Sequence, residues 1–221
     1  TKVAVKISAL NRVLYNQPDN TSHYERFMYR LLQHFLDCHV TPNLVEHITS
    51  YRGLTFGTIS SIMNHESDKV KLRMIRFLEH DAIYIKPGAE KKVGVLITKF
   101  VEGPSLFETY PEDQNKNDPE LTPSDLKMVL FQVYYTLQEF HRFGIRHNDV
   151  NMGNIILERN TSQHCLVYIL NKNEYYAFKP RYIAKIYDYD YSTLTDRYPG
   201  KANLISGKCT RENNTCSNVN S

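Results

Sequence analysis

Apolar and polar positions alternate along the opening stretch TKVAVKISAL, which predicts a strand with Val3 and Val5 on one face and Lys6 on the other. From Ser22 to about Cys38 the period lengthens to that of a helix. Phe27, Leu31, Leu32 and Phe35 recur at helical spacing there, with Ser22 as the candidate cap. Pro42 marks the exit toward NLVEHITSYRG. Residues 57–80 hold a weaker helical pattern, SDKVKLRMIRFLEH. A short strand AIYIK, a Pro-Gly turn and a strongly apolar strand VGVLITKFV follow. Glu102-Gly103-Pro104 breaks that strand, and residues 111–120, PEDQNKNDPE, form an acidic, polar loop.

Residues 124–144, SDLKMVLFQVYYTLQEFHRFG, predict the clearest helix of the chain, capped by Ser124 and stopped by Gly144. A polar knot, HNDVNMGN, separates it from the strand NIILE. Residues 165–179 predict a β-hairpin, CLVYIL and EYYAF about NKN, and YIAKIYDYDYS predicts a further strand. After Tyr198 the composition turns to Gly, Lys, Asn, Ser and Thr, which predicts a polar tail over 199–221. The expected fold class is α+β. Strands around one long helix dominate the first hundred residues and a helix leads the second half, which suggests two lobes joined near Lys99–Gly103.

Composition narrows this little. With 221 residues and 25.8 kDa the chain suits one large domain or two small lobes. A formal charge of +3, spread over scattered basic residues, gives no ground for a nucleic-acid partner. No apolar run approaches the roughly 18 residues needed to span a bilayer, so no membrane partner is expected. The four cysteines form no CxxC pair, and reduced thiols in an intracellular protein are expected. Cys209 and Cys216 are spaced to close a small loop should the setting be oxidising.

The chemistry lies in a few charged positions. Phosphoryl transfer from ATP needs a cation on the phosphates, a carboxylate beside the acceptor hydroxyl and oxygen ligands for Mg²⁺. Lys6 sits in the strand VAVK, and Glu25 follows nineteen residues later on the amphipathic helix, placed for an ion pair. Asp149 and Asn154 stand five apart in a loop between helix and strand, and Asp188 ends a strand in KIYDYD. Taken singly, each has a bland alternative: an edge lysine, a solvated helix glutamate, ordinary turn residues, a solvated strand end. Their joint order and spacing favour the chemistry.

These residues resemble the protein kinases over roughly residues 1–195. VAVK looks like the strand with the phosphate-pairing lysine, and YERFMYRLL like the helix carrying its Glu partner. HNDVNMGN resembles the catalytic loop H-R-D-x-x-x-x-N, and DYD stands where D-F-G would be. LITKFVEGPSL resembles the hinge. The hairpin between Asn154 and Asp188, with the D-Y-x variant, is similar to haspin-type kinases and to kinase-like proteins of large DNA viruses. The resemblance implies a bilobal kinase-like fold. Its N-lobe over 1–98 would carry an antiparallel sheet with one long helix, followed by a hinge at 99–103. A mainly helical but incomplete or atypical C-lobe over 104–198 would hold the loop and the hairpin.

It implies roles as well. Lys6 would pair the α- and β-phosphates and Glu25 would orient it. Asp149 would accept or orient the acceptor hydroxyl, and Asn154 and Asp188 would hold Mg²⁺. Thr98 would be the gatekeeper, with Lys99, Phe100 and Val101 presenting backbone groups to adenine. His147 would be a strut under the loop rather than a base. ATP and Mg²⁺ are the implied cofactors, and a protein Ser/Thr hydroxyl the implied acceptor. Virion or host proteins are candidate partners, and the implied location is intracellular, a host cytoplasm or virion if the viral likeness holds. The alternatives are a small-molecule phosphotransferase and a kinase-like structural component.

Four departures qualify the match. Only five residues precede Lys6, too few to hold a glycine-rich loop, so either the chain is a fragment, which is the expectation, or it has no nucleotide roof. Asn148 replaces the Arg that would bind an activation-loop phosphate, so activation by loop phosphorylation is not expected. Asp190 replaces the Gly of D-F-G, which would restrict the D-F-G flip and add a carboxylate that either helps Mg²⁺ or faces solvent. No A-P-E follows, and only about thirty residues remain after Asp188, too few for a full set of C-lobe helices.

Overall fold

The computed structural model describes residues 2–10, 21–55, 58, 61, 92–109 and 121–194. The Ser22 side chain, the helix expected within 57–80 (apart from Thr58 and Ser61) and the strand AIYIK lie outside the described residues, as do the loop 111–120, Cys209, Cys216 and the tail.

The opening strand β1 (Val3–Leu10) lies antiparallel to β3 (Lys92–Lys99), and β3 also takes β2 (His47–Thr55), giving the order β1-β3-β2. Register sets Lys6 opposite Leu96 and Ala4 opposite Thr98. Opposed residues share a face, so Lys6, Leu96 and Thr98 line one side of the sheet. Ile7, Leu54, Val93, Val95 and Ile97 form a separate apolar cluster on the sheet. Val3 and Val5 alternate away from Lys6 as expected, and both are exposed. The alternation that announced β1 is missing from β2, because register shifts at His47/Thr49 and Arg52/Leu54 interrupt its pairing. Gly53 within the second shift has φ 75°.

Helix α1 (Thr21–Asp37) buries Glu25, Met28, Tyr29, Leu32 and Phe35, a three- and four-residue spacing that forms one face. A carboxylate therefore belongs to an apolar stripe. Helix α2 (Pro123–Arg142) is capped by Thr122 rather than by the expected Ser124. Thr122 Oγ1 accepts from the Asp125 N–H at 3.1 Å, and the Asp125 carboxylate accepts from the Thr122 N–H at 3.1 Å. That reciprocal box, with Pro123 in the first turn where a missing N–H costs nothing, moves the start ahead of Ser124. Gly144, at φ 72°, follows the helix end as expected.

The remaining strands pair as antiparallel ribbons: β4 (Ile145–Arg146) with β9 (Thr193–Leu194), β5 (Ile155–Arg159) with β8 (Tyr182–Ile186), and β6 (Leu166–Asn171) with β7 (Glu174–Phe178). Segregated helices and antiparallel strands make the chain α+β. The β6–β7 hairpin matches the expected one and docks on α2 through Tyr168, whose ring lies 5.2 Å from Phe131 and 4.8 Å from Tyr135. One core cluster joins Met28 and Leu32 of α1, Leu96 of β3, Val133 and Phe140 of α2, Leu157 of β5 and Ile186 of β8.

A polar network runs through that core. Asn43 Nδ2 donates to Gln132 Oε1 at 2.8 Å and to the Ala184 carbonyl at 2.9 Å, while Tyr168 Oη donates to Asn43 Oδ1 at 2.9 Å. Gln132 Nε2 donates to the Tyr182 carbonyl at 2.9 Å, and Gln132 Oε1 also accepts from the Ala184 N–H at 3.0 Å. All three side chains are fully buried and satisfied.

The segment after β3 lies along β5, with the Leu157 N–H donating to the Pro104 carbonyl at 2.9 Å and the Leu106 N–H to the Ile155 carbonyl at 2.7 Å. A Cβ at Gly103 would collide with the Leu157 carbonyl, which is backbone and cannot swing aside. Gly103→Ala is expected to lower stability by about 1–3 kcal/mol, the usual cost of overpacking, read as a reduced midpoint in urea unfolding. An unchanged midpoint would show that β5 shifts without cost.

Candidate active site

The Lys6 Nζ sits 2.8 Å from Glu25 Oε1, 3.1 Å from Asp188 Oδ1 and 3.4 Å from Asp190 Oδ2. Three elements distant in sequence thus converge on one ammonium. β1 supplies the lysine, the buried face of α1 the glutamate, and the chain beyond β8 the two aspartates. Ligand oxygens of Glu25, Asp188 and Asp190 lie within 4.8 Å of one another. Burial opposes the charge on Lys6, but the three carboxylates outweigh it, Glu25 most, and push its pKa up. For Glu25, burial first and the charge of Asp190 second push the carboxyl up to about 8 against the pull of Lys6. Asp190 Oδ1 is a buried atom with no hydrogen-bond partner among the described residues.

Asp149 and Asn154 form a second, directly bonded pair. Asn154 Nδ2 donates to Asp149 Oδ2 at 3.0 Å and to the Asp149 carbonyl at 2.9 Å. Asn151 Nδ2 donates to the other carboxylate oxygen at 3.2 Å, and Asn151 Oδ1 accepts from the Gly153 N–H at 2.8 Å, opening the 3-10 turn Met152–Asn154. Two side-chain amides therefore fix the orientation of Asp149 without neutralising it.

The two groups are zipped together. The Tyr187 N–H donates to the Asn154 carbonyl at 3.2 Å, and Tyr187 Oη to the Gly153 carbonyl at 2.7 Å. Asp188 adopts φ 64°, with its N–H donating to Tyr29 Oη at 3.3 Å. The left-handed backbone of this segment falls on Asp188, and Asp190 brings Oδ2 to 3.4 Å from the Lys6 Nζ.

The remaining expected positions lie at the end of β3. Thr98 is buried on the Lys6 face, and Val101 is buried in the main core. The Lys99 N–H is taken by the Glu46 carbonyl at 2.9 Å and the Phe100 N–H by the Lys2 carbonyl at 3.2 Å. Tyr29, Asn151 and Tyr187 support the site but did not stand out in the sequence. Tyr29 had a signal, since it lies four residues after Glu25 and so on the same helical face. The other two are positioned by tertiary bonds that no spacing announces.

No family model matches this chain, and a search of curated proteins returns no match. No helix among the described residues is long and apolar enough to cross a membrane.

His147 is buried beneath the loop, as a strut. Its Nε2 lies 3.1 Å from the Tyr187 carbonyl, which fixes that nitrogen as the protonated donor, and its ring packs 5.1 Å from Tyr189. Nδ1 is buried without a partner among the described residues. Burial lowers the pKa of the imidazole, which outweighs the nearby Tyr187 carbonyl and Asp149. The unfolded chain then binds a proton that the folded one refuses, so stability falls as pH drops through about 6.5 toward the depressed value. The slope of unfolding free energy between about pH 6.5 and 5 is expected to be shallower in His147→Gln than in the wild type. Equal slopes would remove His147 from the pH response.

Proposed function

We propose that the chain carries the catalytic core of an ATP-dependent phosphotransferase of the protein kinase type, acting on a protein Ser/Thr hydroxyl. The observation that carries this is the Lys6–Glu25–Asp188 constellation beside an Asp149–Asn154 loop. A kinase-type site requires its lysine–glutamate pair and its metal-binding aspartate in place together. On this reading residues 1–98 form the N-lobe, 99–103 the hinge and 104–198 the C-lobe, with 199–221 a tail. The protein would work where ATP is available, inside a cell.

Lys6, held charged by its carboxylates, would bind the nucleotide phosphates, with Glu25 fixing its Nζ. Thr98 and the Lys99–Val101 backbone would border the adenine. The donor chemistry fits Mg²⁺: the Asn154 amide nitrogen is spent on Asp149, leaving the hard oxygen Oδ1, and Asp188 offers a carboxylate oxygen beyond the one on Lys6. A metal held by Asn154 and Asp188 would offset the negative charge of the phosphates. Asp149 would orient the acceptor hydroxyl and take its proton as the new O–P bond forms and ADP leaves.

The test uses the complete protein. Asp149→Ala is expected to lower γ-phosphate transfer at least about 100-fold, while ATP with Mg²⁺ still raises the thermal midpoint. Transfer unchanged in Asp149→Ala would refute the assignment. Phosphate found on a metabolite but on no protein would favour a small-molecule acceptor, and no ATP-dependent shift in the wild type would favour a structural role.

A further inference from the structure

Asn148 stands where the resemblance would place an arginine, and its side chain is engaged. Nδ2 donates to the Tyr191 carbonyl at 3.0 Å and to Thr193 Oγ1 at 3.1 Å, spending both N–H groups of one amide. The backbone at Asn148 has φ 61°, a left-handed conformation that asparagine tolerates better than long side chains do. We propose that Asn148 is a positioning residue that clamps the chain after Asp188 to the catalytic loop by a neutral, permanent hydrogen-bond pair, with no modification required. The proposal rests on the phosphotransferase reading and adds its mode of regulation.

The clamp is the last link of a continuous zip. Ile145 pairs with Leu194 and Arg146 with Thr193. Next along the chain, the His147 carbonyl accepts from Ser192 Oγ at 3.4 Å, and the His147 ring meets the Tyr187 carbonyl. Ile145, Leu194 and Ser192 are buried, so the far end of the zip is held by apolar contact. Asn148 closes the near end, directly before Asp149. Residues 145–148 thus each contact the stretch 187–194, which carries Asp188. Asn148 sets how the residue that orients the acceptor sits against the residue that holds the metal.

A phosphate–arginine clamp would depend on modification and weaken with salt. An amide on a carbonyl and a hydroxyl has no charge to screen and nothing to dephosphorylate.

Two variants of the complete protein separate backbone from amide. Asn148→Gly keeps the left-handed backbone and deletes the donor, and Asn148→Asp keeps the shape but turns an acceptor toward the Tyr191 carbonyl. Loss of the donor is expected to speed hydrogen exchange of the Tyr191–Leu194 amides by about tenfold. In both variants kcat falls while KM for ATP is unchanged, because Lys6 and Glu25 are untouched. Phosphatase treatment of the wild type leaves its kcat intact. Exchange and kcat equal to wild type in Asn148→Gly, or activity lost on phosphatase treatment, would overturn the proposal. A wild type that transfers no phosphate, with faster exchange in Asn148→Gly, would instead refute the phosphotransferase reading and retain the clamp.

Discussion

The buried amide pair of Asn43 and Gln132 holds the structure in register. Asn43 lies after α1, Gln132 in the middle of α2, and between them they bind the backbone of Tyr182 and Ala184 in β8. An unpaired polar group in such a core costs about 1–3 kcal/mol, so two fully buried amides tolerate few alternative arrangements. Tyr168 adds the hairpin through its hydroxyl, and Thr41 reaches Thr136 at 2.8 Å. Because β8 leads directly into Asp188, the amide pair also fixes the direction from which that carboxylate enters the site.

The site carries an electrostatic imbalance that follows from this packing. Three carboxylates face one ammonium, and Glu25, the most buried of them, sits on an apolar helical stripe. Lys6 offsets that charge only in part, and Glu25 holds a proton more tightly than an ordinary carboxyl. Asp190 takes part where the sequence left two readings open. Its carboxylate lies against Lys6 and close to Glu25, two residues beyond the left-handed backbone at Asp188.

Much of the fold was legible. The alternation of β1, the periodicity of α1 and α2, the hairpin over 165–179 and the stop at Gly144 all appear where local pattern placed them. The failures have separate causes. β2 is bulged, so its period is broken, and β4 and β9 are two-residue strands too short to carry one. The Ser124 cap failed because two good capping residues stood close together, and only Thr122 has Asp125 three residues on for the reciprocal box.

The sequence by itself determined which residues could carry chemistry and which elements hold them, since periodicity and capping are local properties. It placed Lys6 on a strand, Glu25 on a helix, and Asp149 and Asn154 in one loop. Only the tertiary structure decided that Lys6 meets Glu25, Asp188 and Asp190 together, and that Asn148 reaches Tyr191 and Thr193. Those partners lie far apart in the chain. Their meeting depends on how buried faces and satisfied amides pack, which no local pattern records.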